Sequence, residues 1–311
     1  MDIPQYKKTV KVICDYYTMA LTGKTTQNAT FMIDWNAILK PNTPYYVNYT
    51  MMGGLQAYDG TKPAYVQTNL NLTSYRGGIE MRAQTDNTLG IIQPLLERPT
   101  GSNCLFYDDI TSNYNSYMER RPNNNFLNIR IVDGLGNAWT TPASAAPDGW
   151  VIELHFTEAI NLPKCYKIYL NNYSTQSIGT ANNNRTFNID MNSILDRRKK
   201  YKIGFTLMGA KATSANILAS INWGLDTVYP FADGTFSTSF NILGAVSRGR
   251  YDTGANSLYV KCDTTTNQMV TLNNWSNTIN LRFLDSALAL SSIFPAGSSD
   301  YYAVCLYIEE I

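Results

Sequence analysis

Two segments of this chain are near copies of each other. Residues 28–53 and 184–209 align without a gap at an offset of 156, and twelve of the 26 positions are identical. The identities include Phe31/Phe187, Ile33/Ile189, Asp34/Asp190, Asn36/Asn192, Leu39/Leu195, Tyr45/Tyr201, Met52/Met208 and Gly53/Gly209. Downstream the match persists with a shrinking offset. Leu89-Gly90 pairs with Leu243-Gly244 at 154, Asn103 with Asn256 at 153, and Asn128, Arg130 and Asp133 with Asn280, Arg282 and Asp285 at 152. Trp150 to Ile160 then meets Tyr301 to Ile311 at 151. Steps in one direction are small losses in loops between matched elements, so the chain reads as a duplication. The boundary falls near Asn161-Leu162-Pro163, giving units 1–160 and 161–311.

Within each unit the matched segments alternate. Tyr45, Val47, Tyr49 and Met51 share one face, with Tyr46, Asn48 and Thr50 opposite. Tyr201, Ile203, Phe205 and Leu207 oppose Lys202, Gly204 and Thr206 in the same way. Leu127, Ile129 and Ile131 alternate with Asn128 and Arg130, and Ile279, Leu281 and Phe283 with Asn280 and Arg282. The closing strands are phased as Trp150, Ile152, Leu154, Phe156 and as Tyr301, Ala303, Cys305, Tyr307. Period two predicts strands with one dry and one wet face. On that phasing Asn128 and Asn280 point outward, and changing either to Ser is expected to leave stability almost unaltered. The 32 Asn, 32 Thr and 22 Tyr supply turn formers and strand formers. Helix is expected only as single turns, after Asp34 and Asp190 as N-caps and within 284–294. Roughly eight strands per unit predict an all-β fold: a tandem (double) jelly roll of two antiparallel β-sandwich domains related by internal duplication.

The chemistry-bearing residues are few. The 25 basic and 24 acidic residues give a net charge of +1, which argues against a nucleic-acid-wrapping protein or a polybasic membrane binder, and no sequence-specific nucleic-acid partner is expected. Cys14, Cys104, Cys165, Cys262 and Cys305 are odd in number, show no CxxC spacing, and read as buried reduced thiols. The start MDIPQYKKTV lacks a signal-peptide run, no stretch has 18 consecutive apolar residues, and the chain ends directly after its last strand. Six Asn-x-Ser/Thr sequons, at Asn28, Asn48, Asn71, Asn172, Asn184 and Asn274, read as a consequence of composition. The single histidine, His155, aligns with Leu306 and is placed outward. A histidine-rich metal site or a Ser-His-Asp triad therefore has no residues to use. Asp34/Asp190 and Asp133/Asp285 read as caps and turns, and Glu158/Glu309 as a recurring strand-end pair. The run Arg197-Arg198-Lys199-Lys200, opposite the neutral Pro41-Asn42-Thr43-Pro44, reads as a solvated turn tip, with an acidic neighbour or membrane headgroups as the alternative. No catalytic, cofactor-binding or metal residue is assigned, no cofactor or small-molecule substrate is implied, and no enzymatic activity is expected.

The motif Phe31 to Leu39 with its copy Phe187 to Leu195, followed by Asn128 to Asp133 and Asn280 to Asp285, resembles a particular lineage. It is similar to the minor capsid proteins of large icosahedral double-stranded DNA viruses of eukaryotes, whose coat proteins are double jelly rolls. The resemblance implies a structural virion protein that bridges or supports capsomers and assembles in the host cytoplasm. Its implied partners are the major capsid protein and other minor capsid proteins, with an inner membrane surface as a further candidate. The compact loops favour a minor component over a tower-bearing major one. The competing reading is a carbohydrate-binding, lectin-like tandem sandwich that stacks sugars on Tyr45, Tyr46, Trp139, Trp150, Trp223 and Trp275.

Overall fold

In the computed structural model the described residues are 8–22, 28–54, 64–76, 84–85, 87–94, 107–108, 115–133, 136–138, 149–172, 177–181, 183–210, 217–222, 242–246, 258–260, 268–271, 278–284, 289–290 and 302–311. The first repeat contributes β1 (Thr9–Asp15), β2 (Asn28–Met32), α1 (Trp35–Ile38), β3 (Tyr45–Gly54), β4 (Ala64–Thr68), β5 (Ser74–Arg76) and β6 (Gln84–Thr85). It continues with β7 (Thr88–Pro94), β8 (Tyr107–Asp108), β9 (Ser116–Met118), β10 (Phe126–Val132) and β11 (Gly149–Glu158). The second contributes β12 (Cys165–Asn171), β13 (Ser177–Ala181), β14 (Asn184–Asn188), α2 (Met191–Ile194), β15 (Lys200–Ala210) and β16 (Ile217–Asn222). It ends with β17 (Ile242–Val246), β18 (Leu258–Val260), β19 (Gln268–Thr271), β20 (Thr278–Leu284) and β21 (Tyr302–Glu310).

Among the described residues the fold is all-β apart from two single helical turns. In the first repeat one sheet runs β1-β11-β3-β9 and the other β2-β10-β4-β7-β8. Each sheet interleaves strands from the beginning and the end of the repeat, which is the jelly-roll winding. The second repeat winds the same way: β12-β21-β15, with β18 and β19 pairing with β15, faces β13-β14-β20-β16-β17. Among the described residues every strand pairing is antiparallel except one, the parallel contact of β5 with β12.

Each sandwich encloses its own core. The first is filled by Tyr45, Val47, Tyr49, Met51, Leu127, Ile129, Ile131, Trp150, Ile152, Leu154 and Phe156, and the second by Tyr201, Ile203, Phe205, Leu207, Ile279, Leu281 and Phe283 with β21. These are the faces that alternation predicts, save one. In β21 the core residues are Tyr302, Val304, Leu306 and Ile308. Ala303 and Cys305 face the other way, yet are also buried, against the first repeat. The pairings fix the equivalence: Leu154 lies opposite Tyr49, and Leu306 opposite Phe205. The offset at the last strand is therefore 152, and Trp150 corresponds to Tyr302 and His155 to Tyr307, not to Tyr301 and Leu306. The wet face expected of β15 is corrected too, because Gly204 and Thr206 are buried. Of the third expected helical turn, residues 285–288 and 291–294 lie outside the described residues, and Leu290 forms a β-bridge with Leu284.

Candidate functional site

The shared motif closes the fold. Asp34 caps α1, its Oδ1 accepting from the amides of Asn36 at 3.1 Å and Ala37 at 3.4 Å. Asp190 does the same for α2 through Asn192 at 3.2 Å. Six residues after each capping aspartate the chain is pinned again. The Tyr45 hydroxyl accepts from the Lys40 amide at 2.7 Å, and the Tyr201 hydroxyl from the Asp196 amide at 2.8 Å. A lysine from each turn then reaches the closing strand: Lys40 to Glu158 at 2.7 Å, and Lys199 to Glu310 at 2.6 Å. Glu158 thus corresponds to Glu310, which replaces the expected pairing with Glu309. Asp133 accepts from the Asn137 amide at 3.0 Å as a turn residue, and Asp285 lies outside the described residues.

A second duplicated device joins β2 to β10 and β14 to β20. Asn128 Nδ2 donates to Asn28 Oδ1 at 2.8 Å and Thr30 Oγ1 at 3.0 Å. Asn280 Nδ2 donates to Asn184 Oδ1 and Thr186 Oγ1, each at 3.0 Å. The Asn-x-Thr sequons at Asn28 and Asn184 are therefore the acceptor halves of a cross-strand ladder. Asn128 and Asn280 point outward as expected but are not idle, which corrects the expectation that serine would serve as well.

The two repeats are joined by a built interface. Tyr65, Ile91 and Val132, on the outer face of the first repeat's second sheet, pack on Tyr169, Ala303 and Cys305 of the second repeat's first sheet. Tyr65 and Tyr169 meet edge to face at 5.9 Å. The Lys167 ammonium is buried, 1% exposed, and donates to the Leu89 carbonyl at 3.0 Å, while the Tyr169 hydroxyl donates to the Thr88 carbonyl at 3.4 Å. Beside them β5 lies parallel to β12, and the Thr73 hydroxyl donates to the Cys165 carbonyl at 2.5 Å. The first repeat thus both covers the second repeat's sheet and extends its edge. Sequence reasoning read Cys165 and Cys305 as buried thiols but did not foresee this interface. The one available signal is that Cys165–Asn171 carries apolar residues in both phases, and indeed every residue of β12 is buried.

At the rim of this interface Cys165 Sγ lies 2.9 Å from the Tyr307 hydroxyl, which donates to Glu309 Oε2 at 2.9 Å. Burial pushes the Cys165 thiol up to about 11 against a partial opposing effect of the Tyr307 hydrogen bond, and burial also raises Tyr307. A thiol held protonated is a packing group rather than a nucleophile. Cys14, Cys165 and Cys305 are buried and free, while Cys104 and Cys262 lie outside the described residues.

Next to the rim lies an open groove of about 600 Å³, lined among others by Lys164, Tyr166, Asn192, Arg197, Lys199 and Glu310. The basic run forms one of its walls. Arg198 holds Asp196 through two contacts, at 3.0 and 2.8 Å, and this hydrogen bonding lowers the Asp196 carboxyl to about 2. Arg197 Nε donates to Asn192 Oδ1 at 2.9 Å. Lys164 pairs with Glu119 and lies 5.5 Å over the Tyr166 ring. The run is thus a solvated turn with ordered partners.

His155 faces outward, its Nε2 2.6 Å from Glu153 Oε1, which also takes the Lys11 ammonium at 2.7 Å. The Lys11 hydrogen bond is the main reason that the Glu153 carboxyl sits below its ordinary range. Among the described residues no group of three or more His, Cys, Asp or Glu side chains converges to hold a metal ion. Tyr45 and Trp150 are buried in the first core, and Tyr46 is half-buried against Tyr117 with its hydroxyl donating to the Pro163 carbonyl at 2.6 Å. They offer no open stacking platform. Trp139, Trp223 and Trp275 lie outside the described residues.

The architecture defines the class: an all-β chain of two antiparallel jelly-roll sandwiches. No known protein family and no curated protein matches it. Solved structures that align with it over nearly the whole length include PNGase F, a glycosylasparaginase from Flavobacterium meningosepticum, at 13% identity and a TM-score of 0.40, covering 97% of this chain and 96% of that one. The mavirus penton protein matches at 8% identity and a TM-score of 0.23 over 98% and 100% of the two chains. The Faustovirus major capsid protein matches at 10% and 0.24 over 99% and 90%. Likenesses this distant carry no argument about what the chain does. The expectation of no enzymatic activity is nevertheless corrected, because an enzyme, PNGase F, stands among these structures.

Proposed function

We propose that this chain is a structural virion protein, a minor capsid component that bridges or supports capsomers in an icosahedral shell. Residues 1–160 and 161–311 are its two jelly-roll domains. The reading rests on one observation above the others, the buried interface that fuses two copies of one sandwich into a single body. Lys167, Tyr169 and Cys305 lie inside that interface, and β5 crosses it. A scaffold that must hold two related surfaces at a fixed angle needs such a joint. The partners in this role are the major capsid protein and other minor capsid proteins, with assembly in the host cytoplasm.

Mass spectrometry of gradient-purified particles tests the proposal, followed by cryo-electron microscopy of the same particles. The chain is expected at a fixed ratio to the major capsid protein, as paired sandwich density between or beneath capsomers. Its absence from purified particles would refute the assignment.

A further inference from the structure

The two repeats differ most in charge at the turn that follows the helical motif. Both turns are closed by the same tyrosine-to-amide hydrogen bond, at 2.7 Å for Tyr45 and 2.8 Å for Tyr201. In both, the residue just before β3 or within the start of β15 accepts from the end of the closing strand, Ala159 to Pro44 and Ile311 to Lys200, each at 2.9 Å. The neutral sequence Pro41-Asn42-Thr43-Pro44 builds this geometry, so the fold does not require Arg197-Arg198-Lys199-Lys200 in its place. All four of these cations are exposed.

They stand over the groove. Lys164, Arg197, Arg198 and Lys199 bring four positive charges to its walls against two negative ones from Asp196 and Glu310. That local excess of two exceeds the net +1 of the whole chain. The groove also already holds a carboxylate in ordered geometry. Glu310 accepts the Tyr166 hydroxyl at 2.7 Å on one oxygen and the Lys199 ammonium at 2.6 Å on the other. We infer that this groove binds an acidic peptide segment, whose carboxylates meet the ammonium and guanidinium groups along its walls. The ion pairs now in place at this exposed surface exchange at little cost. The concave shape, at about 600 Å³, fits a few side chains of an extended chain. A lipid surface or a nucleic-acid duplex recruits a broader cationic face than a chain of net charge +1 supplies. The inference goes beyond the virion role and does not depend on it.

Fluorescence anisotropy of a labelled hexaglutamate peptide against the full chain tests this directly. Saturable binding is expected, weakening as salt is raised from roughly 50 to 300 mM because the contacts are exposed ion pairs. The four-residue exchange Arg197→Pro, Arg198→Asn, Lys199→Thr, Lys200→Pro transplants the neutral turn and is expected to lower affinity about tenfold or more. The pair Lys164→Gln and Arg198→Gln leaves the turn backbone alone and should also weaken binding, with an unchanged melting temperature. Absence of saturable binding, or binding equal in all variants, would overturn the inference. So would tighter binding to phosphatidylserine vesicles or to a DNA duplex than to the peptide.

Discussion

At the scale of single residues, the duplicated polar side chains are structural fasteners. Asn280 spends its amide on Asn184 and Thr186, and serine cannot span both acceptors. Asn280→Ser is therefore expected to lower stability by about 1–2 kcal/mol, the net worth of one or two such bonds. Urea denaturation measures it, and a midpoint equal to wild type would show that the ladder is decorative. The thiols carry a pH signature. Burial raises Cys14 from 9.0 to about 12 and Cys165 from 9.0 to about 11. The folded thiols stay protonated where the unfolded ones ionise. Their contribution is whole below pH 9 and is lost as pH rises through 9 toward 11 and 12. The melting temperature should fall across that window, less in a Cys14→Ala, Cys165→Ala variant. Iodoacetamide at about pH 8.5 should label these thiols only after unfolding. Caps such as Asp34 were legible in the sequence because a cap is a local signal. The ladder was not, because its halves lie 100 residues apart in Asn128 and Asn28.

At the scale of elements, strands with one wet face announced their phase and strands buried on both faces did not. In β11 the outward Glu153, His155 and Thr157 mark the alternation, so Trp150, Ile152, Leu154 and Phe156 were assigned correctly. In β21 the run Tyr302 to Ile308 is apolar in both phases, and the twin residues Tyr301-Tyr302 and Glu309-Glu310 fit a one-residue slip equally well. Alternation carries no phase in such a strand. The slip has a test. Leu306→Asp places a carboxylate in the second core and should abolish folding, since an unpaired buried charge costs several kcal/mol. A Leu306→Asp chain that still folds would contradict this placement. Across the interface, Tyr169→Ala removes a buried ring packed on Tyr65 and should cost about 3 kcal/mol or more by chemical denaturation. The short strand β5 was beyond sequence reasoning, because its three residues gain their structure from the edge of β12 and from the two-residue β6.

At the scale of the whole molecule, the duplication has become asymmetric. The outer face of the second repeat's first sheet is buried beneath the first repeat, whereas the matching face of the first repeat leaves Ile13 and Met52 more than half exposed, at 53% and 56%. The likeness of the halves was legible at once from the gapless match of residues 28–53 with 184–209. Their mode of joining was not, because it depends on outward residues the repeats do not share, such as Tyr169 against Ile13 and Cys305 against Glu153. The central claim is that these two sandwiches are one body. Differential scanning calorimetry of the full chain tests it most directly. One cooperative transition is predicted, with calorimetric and van't Hoff enthalpies in agreement, and Tyr169→Ala should shift it as a whole. Two separate transitions, with Tyr169→Ala moving only one of them, would contradict the claim.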